Sequence, residues 1–459
     1  MERNTVTLFE TIVTLLENRK YTTLRDILST MNPVDIAVVF EDIQDEKTAI
    51  LFRLLPKELA AEAFVEMDDD TQQLLIHGFS DAELKEVIDE LYVDDAVDII
   101  EEMPANVVKR ILRQTDPDVR KQINNILKYP DDSAGSIMTT EFVNLRPKMT
   151  VEEAIKRIRR TGVDKETIYT CYVVDDKSHL IGIVTIKSLL LADEDTTIED
   201  LMETNVISVN TLDDQEHVVQ VFNKYNFLAV PVVDKENRLV GIVTVDDAID
   251  VMEEEATEDI QKVAAITPTT DKPYDKLGVF EIFKSRIPWL LILMISATFT
   301  GMIITSFESQ LGACIALTAF IPMLMGTAGN SGAQSSVTII RSLSLEEIEF
   351  KDIIKVMFKE SRVSLLCGVV LAIANFAKML LVDGMLLNNP DITVSVSLVV
   401  SLTLILTIFF AKLLGCALPM IIKKIGFDPA VVASPVITTI VDTLCVFIYF
   451  EIATAILHI

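Results

Sequence analysis

The chain has 459 residues, enough for two or three domains, and half of them are hydrophobic although the formal net charge is −29. Residues 1–280 carry 57 acidic and 29 basic side chains, whereas residues 281–459 carry 12 and 11. The acidic part argues against nucleic acid as a partner, because binding phosphates requires a basic face. Such a surface attracts divalent cations, or it serves only to keep the domain soluble.

Two further features bear on compartment and class. The five cysteines form no CxxC pair, which predicts buried thiols in a reducing compartment rather than disulfides or a zinc site. The first ten residues lack an apolar signal core, so we expect the acidic part to stay inside the cell. No nucleophile–base pair, P-loop or metalloprotease motif indicates an enzyme.

Residues 1–135 are predicted to form an acidic domain of short helices stacked as a small superhelix. Leucine and isoleucine recur at helical spacing, and Ser80 with Glu83 makes a capping box. Asp116 followed by Pro117 starts another helix. A cluster at Asp94, Asp95 and Asp98 is either a solvated acidic face or one side of a divalent-cation bridge to another domain.

An internal repeat follows, with LIGIVTI at 180–186 recurring as LVGIVTV at 239–245. Each copy has an extended segment and a turn before this strand and helices on either side. The pattern resembles a tandem pair of CBS domains, which we place at 136–199 and 200–259. We expect each half to cover the apolar sheet face of the other.

The resemblance implies adenine-nucleotide binding at a hydroxyl and an acid after the repeated strand. Thr244 and Asp247 take these places in the second copy, whereas we match Lys187 and Ser188 to them in the first. ATP is therefore a candidate ligand of the second copy.

A densely acidic helix closes the second copy, and residues 260–286 are predicted to form a connecting helix and linker. This helix either faces cations or caps the acidic face of the N-terminal domain. Trp289 then marks the membrane interface.

Residues 287–459 are predicted to form a transmembrane domain of five helices, at 287–306, 311–327, 363–382, 392–420 and 432–456. An odd number puts the two termini on opposite sides. The positive-inside rule gives a multi-pass protein of the plasma (inner) membrane with cytoplasmic N-terminal domains and an external C-terminus. Lys378 and Lys412 are expected to snorkel to the interfaces. The basic residues that fix the orientation are Arg341, Lys351, Lys355, Lys359, Arg362, Lys423 and Lys424.

Two polar features interrupt the apolar domain. Asp442 lies within the last predicted span, where an ionisable group is costly and normally faces a partner, a wet cavity or an ion path. It is either a packing residue hydrogen-bonded to neighbouring hydroxyls or a carboxylate on a cation path. The glycine-rich stretch 326–334 either lets helices approach closely or lines a wet pore.

The whole chain resembles the MgtE family of magnesium channels: an acidic helical domain, a CBS pair, a connecting helix and five spans carrying PMLMGTAGNSGAQ and a DPA…D last helix. The resemblance implies a homodimer in the lipid bilayer with the pore between the subunits. Asp442 would hold a hydrated Mg²⁺, Asp428 would lie near the inner mouth or merely cap a helix, and Gly326 and Asn330 would line or support the pore.

The resemblance also implies that acids of the N-terminal half bind Mg²⁺ and close the pore. The acids we nominate as sensors are Asp94, Asp98, Asp246, Asp247, Asp250, Glu255 and Glu258. Two alternatives stay open: transport of Co²⁺, Mn²⁺ or Ni²⁺, and a membrane-anchored nucleotide-sensing regulator.

Overall fold

The computed structural model describes residues 2–43, 47–268, 274, 276–345, 347–386, 392–432 and 434–458. The chain divides into two compact units, the N-terminal unit Met1–Met252 and the C-terminal unit Glu253–Ile459. The N-terminal unit contains helices and two β-sheets, and the C-terminal unit is helical.

The N-terminal unit begins with short helices joined by tight turns, as predicted. Ser80 and Glu83 form the expected capping box, and the Asp116 carboxylate caps the helix that begins at Pro117. Apolar side chains such as Phe40 and Phe64 fill the interior. The helices are α1 Glu2–Glu17, α2 Tyr21–Leu28, α3 Pro33–Ile43, α4 Thr48–Phe52, α5 Lys57–Val65, α6 Asp69–Gly78, α7 Asp81–Ile88, α8 Val93–Glu102, α9 Ala105–Gln114 and α10 Pro117–Ile126.

The internal repeat forms two three-stranded sheets of the same topology. In each, the first strand pairs parallel with the second and the second antiparallel with the third. The first copy contains β1 Phe142–Leu145, α11 Val151–Thr161, β2 Thr167–Val174, β3 Leu180–Thr185 and α12 Ile186–Leu191, followed by α13 Ile198–Leu201. The second contains β4 Val209–Asn210, α14 Gln215–Tyr225, β5 Ala229–Val233, β6 Leu239–Thr244 and α15 Val245–Val263.

The two copies cover each other's apolar sheet faces, as the repeat predicted. Tyr172 and Leu180 of the first copy share one buried cluster with Val233 and Ile242 of the second. The amide of Leu180 donates to the carbonyl of Asn237 at 3.0 Å, which joins the two turns. The pair therefore forms one folded body through its apolar faces.

The acidic segment after β6 is helical, as predicted, but its helix α15 ends at Val263. Among the described residues the chain is next helical at Val279, so the predicted segment 260–286 contains the end of α15 and the start of α16. Residues 269–273 and 275 of this predicted segment lie outside the described residues.

The C-terminal unit is helical. Its helices are α16 Val279–Ser306, α17 Glu308–Ala313, α18 Ile321–Ser344, α19 Ile353–Lys378, α20 Val394–Lys424 and α21 Ser434–Leu457. Within the described ranges, four segments are long and apolar enough to cross a membrane: Val279–Ser306, Phe350–Leu386, Val394–Lys424 and Pro435–Leu457. The count of five spans therefore stays a prediction that depends on the polar helix α18.

The bounds predicted for the second span were wrong. The chain breaks between α17 and a 3₁₀ turn at Ile315–Phe320, and α18 then runs from Ile321 through the whole glycine-rich stretch. Pro322 lies in the first turn of α18, where a proline favours helix initiation. Hydropathy misplaced the helix because its glycine and serine residues are buried against other helices rather than exposed to lipid.

Candidate ion pathway and acidic cluster

Asp442 lies in the third turn of α21 and is half-buried. Thr438 and Thr439 both donate their hydroxyls to the carbonyl of Pro435, at 3.1 and 3.0 Å, rather than to this carboxylate. Across the described part of the chain, the Asp442 side chain has no hydrogen bond or ion pair. The geometry therefore leaves its oxygens available to a ligand, which a carboxylate used for helix packing would not be.

Glycines bring α18 against α20 and α21 at this level. A Cβ at Gly329 would lie 2.6 Å from Cγ2 of Thr438 and 3.5 Å from Oδ1 of Asp442. A Cβ at Gly415 of α20 would overlap the carbonyl oxygen of Gly332. Because backbones this close leave no room for a side chain, these glycines make the helix contacts that the sequence allowed as one interpretation.

The opposite side of α18 faces away from the rest of the unit. Gly326 and Asn330 are exposed, and a Cβ at Gly326 would meet nothing within 4 Å. They are spaced four residues apart with Gln334, so the three lie on one face of the helix. The glycine-rich stretch thus does two things at once, packing through Gly329 and Gly332 and presenting polar groups through Asn330.

Asp428 lies in the connection between α20 and α21 and is held by two groups. Its Oδ1 accepts from the amide of Ala430 at 2.7 Å, which is the capping role, and its Oδ2 is 2.7 Å from Nζ of Lys262. Lys262 also lies 2.7 Å from Glu258. Burial alone would lower the pKa of Lys262, but its bonds to Asp428 and Glu258 raise it overall, so the lysine stays charged.

The end of α15 is thereby joined to the loop that precedes α21. Val263 packs against Ile340 of α18 and Ala430 next to this ion pair. Lys423 donates to the carbonyl of Leu343 at 2.6 Å, so the ends of α18 and α20 meet as well. The basic ends of the membrane helices and the end of the acidic helix therefore lie at the same end of the C-terminal unit.

The snorkelling predicted for Lys412 was wrong. This residue is in the middle of α20 and only 5 % exposed. Its Nζ is 3.2 Å from the hydroxyl of Ser335 on α18, and that hydroxyl donates to Glu360 on α19 at 2.7 Å. Hydropathy could not reveal this polar chain, because its members come from three helices. Lys378, by contrast, lies at the end of α19 and pairs with Asp383 at 2.7 Å.

A second concentration of carboxylates lies in the N-terminal unit around α8. Asp94 is 6 % exposed, and among the residues that the structure describes its Oδ1 has no hydrogen-bond partner. Burial, followed by the charge of Asp247, raises the pKa of Asp94 well above its ordinary value. The same causes raise the pKa of Asp95 to about 7. Carboxyls this perturbed bind protons near neutral pH unless a cation neutralises them.

Two members of this cluster come from the first CBS copy and were not nominated from the sequence. Burial, followed by the charge of Asp95, raises the pKa of Glu166 to about 8. Glu141 accepts from the amide of Val93 at 3.3 Å and contributes to the rise at Asp95. Glu141 has no acidic neighbour in its own segment and Glu166 has only Asp164, which is separated from it by Lys165, so no dense acidic run in the sequence could have identified them.

Only some of the acids nominated as sensors lie in this cluster. Asp246 is exposed and adds to the field on Asp95, whereas Asp250 acts on Glu66, whose pKa is raised mainly by burial. Asp98 is exposed, so it does not share the buried environment of Asp94. Glu255 and Glu258 are half-buried residues of the C-terminal unit. Within the described ranges, no three His, Cys, Asp or Glu side chains are placed to bind one metal ion directly.

Asp247 of this acidic cluster is also one of the two residues predicted to bind a nucleotide. Thr244 donates its hydroxyl to Asp247, whose pKa is raised chiefly by burial. In the first copy, Thr185 takes the equivalent place and its hydroxyl is 2.8 Å from that of Ser188. The match of Lys187 to this hydroxyl position was therefore wrong, and the first copy lacks only the acid.

A half-buried carboxylate between close-packed apolar helices, together with acidic domains, defines the class of a cation transporter. Family models bear this out: residues 321–452 match a divalent cation transporter, residues 31–132 an MgtE intracellular N domain, and residues 134–195 and 198–254 CBS domains. The chain is 37 % identical to the magnesium transporter MgtE of Thermus thermophilus, over 95 % of both chains. It is 32 % identical to that of Bacillus subtilis, over 97 % of both. The chain belongs to the MgtE family.

Solved structures agree for the N-terminal half. The cytosolic domain of the Mg²⁺ channel MgtE in complex with ATP matches with a TM-score of 0.51 at 35 % identity, over 53 % of this chain and 99 % of that one. The soluble part of a magnesium transporter matches with the same TM-score at 32 % identity, over 55 % of this chain and 99 % of that one. The helical domain and CBS pair are therefore known folds of this family.

Proposed function

We propose that this protein transports Mg²⁺ across the plasma membrane through a path in which Asp442 is the ion-binding carboxylate. The observation that carries the proposal is the half-buried side chain of Asp442 beside Gly329, which has no hydrogen bond or ion pair to any described residue. An ionisable group with no partner at this depth is expensive to keep, which favours a role on an ion pathway. The family membership of the chain supports Mg²⁺ as the cargo.

The chemistry of the residues fits a hydrated hard cation. Mg²⁺ gives up its waters reluctantly and is usually held by one or two carboxylates together with retained waters. One Asp442 supplies a single carboxylate, so we propose that two chains form a homodimer with the path between them. Asn330 and Gly326 lie on the exposed face of α18 and would line that path, with the Asn330 amide bonding to the ion's waters.

The connecting helix would gate this path. The Lys262 ammonium joins Glu258 of α15 to Asp428 of the loop before α21. By pairing with both carboxylates, the Lys262 side chain would hold the end of α15 against the membrane helices. Because Lys262 neutralises Asp428, we assign Asp428 to the gate and to capping rather than to direct ion binding.

The acids of the N-terminal unit would act as the Mg²⁺ sensor. Bare carboxylates at Asp94, Asp95, Glu166 and Asp247 repel one another, so cations bound among them favour the compact arrangement. A ligand shifts such an equilibrium only by its different affinity for the two states. Since no three side chains of the described ranges are placed to coordinate one ion directly, we propose hydrated ions bound between carboxylates. Asp246 and Asp250 would add to the attracting field, Asp98 would act from the surface, and Glu255, a half-buried residue of the C-terminal unit, would contribute its charge from α15.

ATP is a second candidate ligand of the same region. The cytosolic domain of a related Mg²⁺ channel forms an ATP complex. Thr244 and Asp247 would hold the ribose, which places the nucleotide next to the proposed sensor acids. We further propose that the N-terminal unit is cytoplasmic, that the C-terminus is external, and that the protein is not an enzyme.

Ion flux in liposomes tests the proposal. Asp442→Asn removes the charge but keeps the shape, and Glu451→Gln is the matched control because Glu451 is an exposed acid on the same helix. We expect wild type and Glu451→Gln to pass Mg²⁺ and Asp442→Asn to fall to background. Unchanged flux in Asp442→Asn would contradict the assignment. Preference for Co²⁺, Mn²⁺ or Ni²⁺ would favour another divalent cargo, and no flux in wild type would favour a nucleotide-sensing regulator.

A further inference from the structure

A row of exposed residues follows one face of α19 from its first turn to its sixth. Lys355, Lys359 and Arg362 occupy the first part, and all three side chains are exposed. Leu366, Val370 and Ile373 continue on the same face at spacings of three and four residues. The face is therefore basic at one end and apolar along the rest.

The apolar part has the exposure expected of a surface in contact with lipid tails. Leu366, Val370 and Ile373 are 70, 65 and 66 % exposed, and α19 belongs to a segment apolar enough to cross a membrane. Beside the basic part, Ile354 and Phe358 are also exposed large hydrophobic residues. Hydrophobic residues thus surround the cations, as they do where a helix enters the interface of a bilayer.

The cations are available to an anion. Arg362 lies over the ring of Phe358, with its guanidinium carbon 5.0 Å from the centroid. Lys351, one turn earlier, is 2.8 Å from Glu349 and is excluded from the site for that reason. Within the described ranges, Lys355 and Lys359 form no ion pair.

We propose that this face of α19 binds an anionic phospholipid of the cytoplasmic leaflet. Its phosphate would contact Lys355, Lys359 and Arg362, and its acyl chains would run along Leu366, Val370 and Ile373. Val356, beside Lys355, packs with Leu343 of α18 and Met420 of α20, so the basic end of α19 lies where those two helices end. The Lys262–Asp428 ion pair is at the same end of the unit, so a lipid bound here acts at the proposed gate.

Charge decides between a lipid and a second copy of the chain. A symmetric contact through this face would place the same patch of each subunit in one interface, bringing like charges together. An anionic headgroup instead neutralises them, and each Lys or Arg near such a surface strengthens binding about fivefold. The site goes beyond the transport proposal and does not depend on which ion is carried.

Native mass spectrometry of the full chain, purified in mild detergent and mixed with equal amounts of phosphatidylglycerol and phosphatidylcholine, tests this site. We expect wild type to retain phosphatidylglycerol preferentially. The variant K355Q/K359Q/R362Q should bind it on the order of 100-fold more weakly. The control K177Q/K187Q/K235Q removes three exposed lysines of the N-terminal unit and should bind as wild type does.

Three outcomes would overturn the proposal: equal retention of the two lipids by wild type, equal losses in the two variants, or a changed oligomeric mass in K355Q/K359Q/R362Q with lipid binding unaltered. A further arm adds glycerol 3-phosphate at the concentration of the lipid. Displacement of the lipid by this soluble phosphate would show that the tails contribute nothing, which also contradicts the site as proposed.

Discussion

The two units handle carboxylates in opposite ways. In the C-terminal unit, Asp442 lies between helices that approach at glycines, without a hydrogen bond or ion pair in the described part of the chain. In the N-terminal unit, Asp94, Asp95, Glu166 and Asp247 crowd together, and mutual repulsion adds to burial in raising the pKa of each of the first three. A lone carboxylate can bind an ion and release it, whereas a crowded group changes its arrangement when cations arrive.

The largest loss of stability is expected when a side chain is added where α18 crosses α21 beside Asp442. Gly329→Ala places a Cβ 2.6 Å from Thr438, so α18 and α21 must separate at a cost of about 1–3 kcal/mol. Gly326→Ala on the same helix meets nothing within 4 Å and should stabilise the helix by up to about 1 kcal/mol. Thermal unfolding in detergent measures both, and equal shifts for the two variants would mean that the crossing is not close-packed.

The buried polar chain of the C-terminal unit offers the next test. Glu360→Gln removes the anion that the buried Lys412 ammonium reaches through the Ser335 hydroxyl, which we expect to cost about 1–2 kcal/mol. The double variant Lys412→Met/Glu360→Gln should lose less than Glu360→Gln alone, because no uncompensated charge remains. Additive losses in the same unfolding assay would show that the two residues do not interact.

Removing the Lys262 charge tests the gate separately from the ion-binding carboxylate. Lys262→Met leaves Glu258 and Asp428 as facing carboxylates without a cation, so the closed state should weaken at low Mg²⁺. We expect higher flux at low internal Mg²⁺, and a closed state that depends more steeply on added Mg²⁺. Lys284→Met, at an exposed position of α16, is a control that removes the same charge. A Lys262→Met flux no higher than wild type would contradict this role of the lysine.

The smallest expected effect is a pH dependence of the sensor. The pKa of Asp95 is raised to about 7 and that of Glu166 to about 8, so protons compete with cations for the cluster below those values. Without Mg²⁺, these raised pKa values weaken the N-terminal unit as pH rises from about 4 through 8.

Limited proteolysis of the linker 264–278 in the full chain measures this competition. Half-maximal protection should need more Mg²⁺ at pH 6 than at pH 8, and Glu166→Gln should reduce the difference. A midpoint independent of pH would contradict the cluster as the sensor.

The parts of this structure that depend on local sequence pattern could be predicted. The repeat at 180–186 and 239–245 predicted two sheets that cover each other, and the Ser80 capping box predicted the start of α7. The position of Asp442 within an apolar segment also predicted a buried acid in a helix. In each case the determining residues are neighbours or repeats along the chain.

What the sequence missed depends on contacts between distant residues. Glu141 and Glu166 join Asp94 only because the first CBS copy packs against α8, and neither lies in a dense acidic run. Lys412 was expected at a membrane interface because the sequence around it does not reveal its partners. Those partners lie on two other helices. The span that became α18 was misplaced because hydropathy scores residues singly, whereas glycine packing is a property of helix pairs.

The most direct test combines the two regions in one chain. If Asp442 binds the transported ion, Lys262→Met/Asp442→Asn should pass no Mg²⁺ into liposomes although its gate is released, whereas Lys262→Met alone should pass more than wild type. If the double variant regains the flux of Lys262→Met, then Asp442 acts only through the gate, and the account of this carboxylate as the ion site is contradicted.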